Sequence, residues 1–276
     1  MKVVVVGGTG PVGAHTVTAV RDRGHEAVLL PLPRRANALL DGRGPALPEV
    51  LEGASVVIDL SGPPDQAAGL FSGTEGFLPD EDTVRDCLCR PTVELLAAEN
   101  AADIGHHVAL SVVGVDSLQD GTYFRVLRER DELLRRSGVP YSLIRATQLF
   151  ESVRSIADTS AEDWAVWLPP VEVRPVAAAE AAALIARTAL SAPLHGVREI
   201  AGPDRFPLDV FVRVALTGGA ERPHVFADAD GQYFGARLAG DALLPGPQAH
   251  IGRVHYSEWL AALPAERAPG DGECRW

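Results

Sequence analysis

Positive charge, lysine and long apolar runs are all scarce in this chain of 276 residues. Its formal net charge is −12, and Lys2 is the single lysine among 25 basic residues, a bias that we attribute to a GC-rich coding genome. Nucleic acids and anionic membranes bind clustered positive charge, so we expect neither as a partner. No apolar run approaches the ~18 residues of a membrane span, so we expect no membrane segment.

Cysteine is also rare, and its spacing excludes a disulfide framework. Cys87, Cys89 and Cys274 form neither a C-x-x-C motif nor an even-numbered set, so we expect reduced thiols and a cytoplasmic location. The opening "MKVVVVGGTG" runs from an apolar stretch straight into glycines, which predicts no secretory signal. Asp228 and Asp230 faintly resemble a calcium loop, but no Glu follows at the required spacing, so we expect no metal.

Alternating strand and helix patterns fill the first half of the chain. The segments "KVVVVGG", "GAHTVTAVRDRG", "HEAVLLP" and "ASVVIDLSG" follow one another, and further helix and strand patterns continue to Thr147. Continuous β-branched runs separated by helices are typical of a parallel sheet covered on both faces. The sequence therefore predicts an α/β fold: a doubly wound parallel sheet of the Rossmann type, with a small C-terminal substrate-binding lid.

The regular alternation of strand and helix patterns ends after Thr147, and this change sets the predicted domain limits. We predict a dinucleotide-binding Rossmann core over residues 1–148. Residues 149–263 form a mixed segment that partly completes the sheet and partly forms the substrate lid over its carboxyl edge. We predict that residues 264–276 form a flexible tail. The oligomeric state stays open.

A glycine turn follows the first predicted strand. Gly7, Gly10 and Gly13 have G-x-x-G-x-x-G spacing and open a helix near Pro11. The first glycine permits a tight turn, the second lets backbone amides approach a pyrophosphate, and the third lets helix and strand pack closely. The turn predicts dinucleotide binding by Gly7, Thr9, Gly10, Pro11, Val12 and Gly13; the alternative is a glycine turn without a nucleotide.

The end of the second strand favours NADP(H) over NAD(H). An acidic residue about twenty positions after the glycines would bind the ribose 2′-hydroxyl of NAD, but no carboxylate lies between Glu26 and Asp41. Arg34 and Arg35 stand there instead, and a guanidinium suits the 2′-phosphate of NADP. The alternative is that both are solvated loop residues.

The order of motifs resembles the atypical short-chain dehydrogenase/reductases, specifically their NmrA-like NAD(P)H-binding branch. The resemblance covers most of the chain apart from the tail. It rests on "GGTGPVG" (7–13), "VVIDLSG" (56–62), "HHVALSVVGVDSL" (106–118), "TYFRVLRERDELLRRSGVPYSLIRATQLFE" (122–151) and "EIAGPDRFPLDVFVR" (199–213). It implies that the glycine turn holds the cofactor pyrophosphate and that Ser61 and Gly62 approach the adenosine ribose.

The resemblance also implies a catalytic pair, and the chain departs from it at one position. Ser111 ends a strand near the nicotinamide, and Tyr123 matches the tyrosine of Tyr-x-x-x-Lys, which donates a proton to the substrate oxygen. Leu127 stands where that lysine is expected. Arg130 lies on the same helical face and is a candidate substitute. The alternative is that Tyr123 only packs and Ser111 only ends a strand.

Several residues near the predicted carboxyl edge are candidate substrate contacts. Thr147 and Gln148 end a strand there, and aromatic residues further on are suited to an apolar pocket or to the core. His106 and His107 precede a strand, so we expect a surface or edge role for them. The predicted substrate residues are Thr147, Gln148, Phe150, Trp167 and Tyr233.

Three functions stay open at this point. The first is an NADP(H)-dependent oxidoreductase that reduces a carbonyl, enone or quinone of a small, partly aromatic molecule, which we expect in bacterial specialised metabolism. The second is a redox-sensing module of the NmrA-like kind, which binds the dinucleotide without consuming it and signals to a protein. The third is the same fold redirected to cyclisation, dehydration or isomerisation.

Overall fold

A computed structural model describes residues 1–8, 10–30, 46–61, 80–118, 120–162, 165–216, 224–238 and 240–263. Segment 264–276 lies outside the described residues. So do four predicted site residues: Thr9, Arg34, Arg35 and Gly62. The strands are β1 (Lys2–Val6), β2 (Glu26–Leu30), β3 (Ala54–Asp59), β4 (His106–Val112), β5 (Tyr141–Ala146), β6 (Ala161–Glu162), β7 (Ala165–Leu168), β8 (Glu172–Val173), β9 (Val197–Ala201), β10 (Phe206–Pro207), β11 (His224–Ala227), β12 (Gln232–Tyr233), β13 (Ala236–Arg237) and β14 (His250–Ile251).

Helices alternate with the strands along most of the chain. They are α1 (Pro11–Arg21), α2 (Leu47–Leu51), α3 (Glu81–Ala101), α4 (Thr122–Arg136), α5 (Val153–Thr159), α6 (Ala178–Ala189), α7 (Leu208–Leu216) and α8 (Tyr256–Ala262). A 3₁₀ turn, Phe150–Ser152, precedes α5. No helix in the described ranges has the length and apolar character needed to cross a bilayer.

Seven strands form one sheet in the order β2–β1–β3–β4–β5–β9–β14, and all of its neighbouring strands are parallel. The predicted Rossmann-like parallel sheet is therefore confirmed. Its last two strands come from the C-terminal part of the chain. A parallel sheet needs a crossover between successive strands, and the helices between them supply it.

The two faces of the sheet bury different side chains of the same strand. Val3 and Val5 of β1 pack with α1 and α6, whereas Val4 and Val6 pack with α2 and α3. This explains the unbroken valine run, because successive side chains of a strand point to opposite faces and both faces are covered here.

A further apolar cluster joins elements that lie before and after β5 in the chain. It joins α4 and α5 to α7 and α8, and it includes Phe124, Phe150, Phe211 and Tyr256. The small β12–β13 hairpin adds Tyr233 and Phe234 to the cluster. The C-terminal residues therefore contribute both to the sheet and to this apolar cluster.

Candidate functional site

The strand order reverses direction at β1, and this position defines a crevice. The chain passes from β1 to β2 on one side and then to β3 on the other. In open parallel sheets ligands bind outside the carboxyl ends of the strands at such a switch point. Here the carboxyl end of β1 leads into the glycine turn, and that of β3 ends in Asp59, followed by Ser61.

The glycine turn has the backbone geometry that its sequence requires. Gly7 has a φ of 76°, a left-handed conformation that favours glycine, and its N–H donates to the Leu30 carbonyl at 3.0 Å. A Cβ at position 13 would lie 2.2 Å from the Gly8 Cα, so α1 can approach the turn only because position 13 is glycine. The turn and α1 are thus in direct backbone contact.

The start of α1 offers backbone donors toward the crevice. Gly10 is its N-cap and has no side-chain capping bond, and Pro11 occupies the first turn. A helix N-terminus carries partial positive charge and unpaired N–H groups, which suit a phosphate. The described residues of this turn therefore fit the pyrophosphate of a dinucleotide.

A pocket lies beside this crevice, between the carboxyl ends of β1, β2 and β3 and the helix α3. It contains about 330 Å³ of empty space, part of it open to solvent. Ser61, one of the predicted cofactor residues, lines it, and the Ser61 N–H donates to Asp59 Oδ1 at 2.9 Å. The other lining residues are Val6, Leu30, Leu47, Asp59, Pro91, Thr92, Glu94 and Leu95.

A second pocket lies at the carboxyl ends of β4 and β5. It contains about 470 Å³ of empty space, including the part open to solvent. Four predicted site residues line it together: Ser111, Thr147, Gln148 and Tyr233. The remaining wall consists of Leu110, Val112, Val113, Phe124, Ala146, Leu149, Ser152, Ile156 and Phe234. We call this space the β4–β5 pocket.

Two predicted aromatic substrate residues lie outside the wall of the β4–β5 pocket. The Phe150 ring is buried against Tyr256, with ring centroids 4.9 Å apart. Trp167 on β7 stacks on Phe226, with centroids 4.8 Å apart, and is 38% exposed. The structure thus joins Tyr233 to the strand ends but does not bring Phe150 or Trp167 to the same surface.

Ser111 and Tyr123 lie in different surroundings. Ser111 Oγ donates to Asp131 Oδ2 at 3.0 Å, although its residue lines the pocket. Tyr123 is 1% exposed, and its ring packs edge-to-face on Phe124 and beside Phe234. Both of these phenylalanines line the described pocket, whereas Tyr123 does not. Tyr123 therefore lies one layer behind the pocket surface.

Arg130 is buried in an ionic network beneath the pocket. Its Nη2 donates to Asp59 Oδ2 at 2.7 Å, and its Nη1 donates to the Leu110 carbonyl at 3.2 Å. Burial by itself would lower the Arg130 pKa, but the negative charge of Asp59, with smaller contributions from Asp131 and Tyr123, raises it. Tyr123 is thus within electrostatic reach of Arg130, whose direct partner is Asp59.

The network continues through Asp131 to the surface. Asp131 Oδ2 also lies 3.4 Å from Arg145 Nη2, and Arg145 Nη1 donates to Asp116 Oδ2 at 2.6 Å. Burial raises the pKa of Asp131, while Arg130 and Arg145 act in the opposite direction. A chain of hydrogen bonds and ion pairs therefore runs from the Ser111 hydroxyl through Asp131 and Arg145 to the half-exposed Asp116.

Of the surface or edge role expected for the histidine pair, the surface position is wrong. His106 and His107 begin β4, and both are buried. His107 Nδ1 lies 2.9 Å from both carboxylate oxygens of Glu99 on α3, and His106 Nε2 lies 2.8 Å from Ser142 Oγ.

Sequence reasoning missed the buried ion pair between Asp59 and Arg130. Its signal was Asp59 within the apolar run "VVIDL", because a carboxylate in such a run needs a buried partner.

Solved structures with the same fold include nicotinamide-dependent enzymes. MoeE5 in complex with UDP-glucuronic acid and NAD has a TM-score of 0.63 and 15% identity, over 91% of this chain and 90% of that chain. NADPH-dependent quinone oxidoreductase QOR2 from Escherichia coli, complexed with NADPH, has a TM-score of 0.52 and 17% identity, over 96% and 85%. UDP-glucose 4-epimerase from Thermus thermophilus, in complex with NAD, has a TM-score of 0.57 and 14% identity, over 83% and 86%.

No family model matches the chain, and no curated protein matches it in sequence. The structural similarity therefore defines the class of fold. This is a Rossmann-like α/β protein with a seven-stranded parallel sheet and helices on both faces.

Proposed function

We propose that the protein is an NADP(H)-binding oxidoreductase of the atypical short-chain type. The substrate would be a carbonyl, enone or quinone of a small, partly aromatic molecule. The observation that carries the proposal is the glycine turn at the switch point, where Gly13 packs directly on Gly8. Two pockets at the same sheet edge, one beside β3 and one at β4 and β5, support it. The dinucleotide-bound structures of the same fold are consistent with it.

The turn from Gly7 to Gly13, including Thr9, would hold the pyrophosphate with its backbone amides. Ser61 and Gly62 would contact the adenosine ribose, while Arg34 and Arg35 would bind the 2′-phosphate that distinguishes NADP from NAD. When bound, the cofactor supplies hydride. The protein's part is to orient the substrate and exclude water.

Ser111 and Tyr123 would hold the substrate oxygen. Ser111 already lines the β4–β5 pocket, but its hydroxyl must turn away from Asp131 to donate to a substrate. Tyr123 must reach past Phe124 and Phe234, which lie between its ring and the pocket. Thr147, Gln148 and Tyr233 would contact the rest of the substrate, with Phe150 supporting this wall and Trp167 contributing from β7.

The buried position of Tyr123 favours one alternative function. A tyrosine behind the pocket wall and a serine engaged by Asp131 suit a site that binds the dinucleotide without consuming it. The protein would then be a redox-sensing module of the NmrA-like kind, and its partner would be another protein, since its net charge of −12 disfavours direct DNA contact.

Equilibrium titration with NADPH and NADH, followed by cofactor fluorescence, tests the proposal. We expect NADPH to bind more tightly, and we expect the double variant Arg34→Ala/Arg35→Ala to lose that preference while keeping its NADH affinity. Absence of binding at millimolar NADPH and NADH would contradict both functions. Binding without consumption across a panel of carbonyls and quinones, with single-turnover rates in Tyr123→Phe within about twofold of the parent, would favour the sensor.

A further inference from the structure

Gln148 carries a buried polar atom whose partner is missing from the described part of the protein. Its side chain follows β5, lines the β4–β5 pocket and is 7% exposed. The Nε2 group donates to the Tyr233 hydroxyl at 3.5 Å, whereas Oε1 has no hydrogen-bond partner among the described residues. Buried side-chain amides are normally satisfied by protein, water or ligand, so this carbonyl oxygen calls for a donor.

Two other polar groups of the pocket wall have partners in the protein. Ser111 Oγ donates to Asp131, and Thr147 Oγ1 donates to the Arg174 carbonyl at 2.6 Å. None of the described lining residues carries a charge, and most are aliphatic or aromatic. A pocket of this kind selects a neutral, largely apolar molecule and orients it with few polar contacts.

We propose that Gln148 is a specificity-determining residue whose Oε1 accepts a hydrogen bond from a hydroxyl or N–H group of the substrate. The ligand class is a neutral, ring-containing carbonyl compound that also carries a hydrogen-bond donor, such as a phenolic hydroxyl. This inference rests on the proposed function and deepens it, because it assigns the β4–β5 pocket to the substrate. The Tyr233 hydroxyl acts as a positioning group, since it engages Nε2 and leaves the amide oxygen for the ligand.

The aromatic rings explain why a ring-bearing ligand fits. Phe124 and Tyr233 are stacked, with centroids 6.0 Å apart, and Phe234 lies edge-on to Tyr233 at 4.8 Å. All three line the pocket, so they provide an apolar wall on the side of the cavity that includes the Gln148–Tyr233 contact. Flat ligands gain contact area against such rings, and a site that pairs one buried polar group rejects analogues that leave it unpaired.

Three matched probes test the proposal on the whole 276-residue chain without cofactor. 1-Naphthol carries a donor, 1-methylnaphthalene has nearly the same shape without one, and 1,4-naphthoquinone has only acceptors. Equilibrium dialysis should show 1-naphthol bound about tenfold more tightly than 1-methylnaphthalene. The quinone has no group that can donate to Gln148 Oε1, so its affinity should be the same in the parent protein and in Gln148→Leu.

Variants assign this preference to Gln148. Gln148→Leu should reduce the ratio between 1-naphthol and 1-methylnaphthalene to about twofold, whereas Ser152→Ala, at another polar residue of the same wall, should retain it. Circular dichroism checks that each variant folds; if Gln148→Leu does not, Gln148→Met provides an unbranched apolar replacement. Gln148→Glu keeps an acceptor oxygen and should keep the preference.

Equal affinity for 1-naphthol and its methyl analogue, weaker binding of the quinone in Gln148→Leu than in the parent, or no binding of any probe at saturation would each overturn the proposal. So would a preference that persists in Gln148→Leu or is lost in Ser152→Ala. The NADPH titration described above is a separate measurement. A preference for the donor without dinucleotide binding would refute the proposed oxidoreductase and keep the pocket assignment. Dinucleotide binding without that preference would refute the role of Gln148 and keep the proposed oxidoreductase.

Discussion

Leu127 shows how one residue changes the chemistry expected of a helix. It is fully buried in the apolar cluster of α4, one turn after Tyr123. Arg130 on the same helix is the candidate substitute for a lysine at position 127, but its guanidinium already binds Asp59. The helix therefore places a hydrocarbon side chain four residues after Tyr123, where a Tyr-x-x-x-Lys pattern would have an ammonium.

Introducing a lysine at position 127 should destabilise the protein. Leu127→Lys buries an ammonium in apolar surroundings, on the same helix as the positive charge of Arg130, so we expect the free energy of unfolding to fall by roughly 3–5 kcal/mol. Leu127→Met keeps the side chain apolar and should cost less than about 1.5 kcal/mol. Urea unfolding followed by circular dichroism measures both. Equal stability of the two variants would mean that a lysine finds a partner at this position.

The Asp59–Arg130 pair predicts a dependence of stability on acid. Burial alone would raise the pKa of Asp59, but Arg130, His107 and the hydrogen bond from Ser61 lower it from 3.8 to about 2. A folded-state pKa below the unfolded one adds stability above pH ~4, which is lost as the pH falls through 2. The stability difference between the parent protein and Asp59→Asn should therefore shrink by ~2 kcal/mol between pH 5 and pH 2.

A double-mutant cycle at pH 7 separates this pair from its surroundings. Arg130→Met leaves Asp59 buried without its direct partner and should cost roughly 3–5 kcal/mol, whereas the double variant with Asp59→Asn should recover part of that loss. Additive effects, or a flat difference between pH 5 and pH 2, would show that the two side chains do not stabilise each other.

At the scale of elements, the position of α1 depends on the glycine turn. The helix starts at Pro11, and its third residue, Gly13, meets the backbone of Gly8. This contact fixes where the helix N-terminus points. The proposed pyrophosphate site thus depends on how closely one helix packs against one turn.

Gly13→Ala should separate these two elements. Its Cβ would lie 2.2 Å from backbone atoms of Gly8, so the helix must shift, and we expect NADPH affinity to fall more than about tenfold. Gly105→Ala is the matched control, because a Cβ there lies 3.6 Å from the Ser55 carbonyl, an ordinary contact. Fluorescence titration of both variants gives the comparison. Unchanged affinity in Gly13→Ala would remove the turn from the proposed cofactor site.

At the scale of the whole molecule, residues after 148 are built into the same structure as those before it. Strand β9 pairs with β5, and β14 pairs with β9. Tyr256 of α8 packs on Phe150 and on Phe211, each with centroids 4.9 Å apart. The predicted division at residue 148 therefore separates stretches of sequence that share one sheet.

This arrangement predicts a single cooperative unfolding transition. Tyr256→Ala removes a ring from the shared aromatic cluster and should lower the global free energy of unfolding by roughly 3–5 kcal/mol. Tyr256→Phe keeps the ring and removes a buried hydroxyl that has no partner in the described structure, so it should be neutral or stabilising. Circular dichroism and tryptophan fluorescence should give coincident urea midpoints. Two separate transitions would instead make residues 149–263 an independent unit.

The local pattern of the sequence determined the fold class and the glycine turn. Both depend on short-range rules: strand and helix periodicities repeat within a few residues, and positive φ at Gly7 is a property of one backbone position. The unbroken valine run of β1 could be assigned to a doubly covered strand for the same reason.

Only the tertiary structure decided which polar side chains meet. Asp59 and Arg130 are 71 residues apart in the chain, and Gln148 and Tyr233 are 85 apart. It also placed Tyr123 behind Phe124 and Phe234, although its helical spacing was evident in the sequence. Such contacts depend on how whole elements pack, and a repeat of a few residues carries no information about the register of two distant elements.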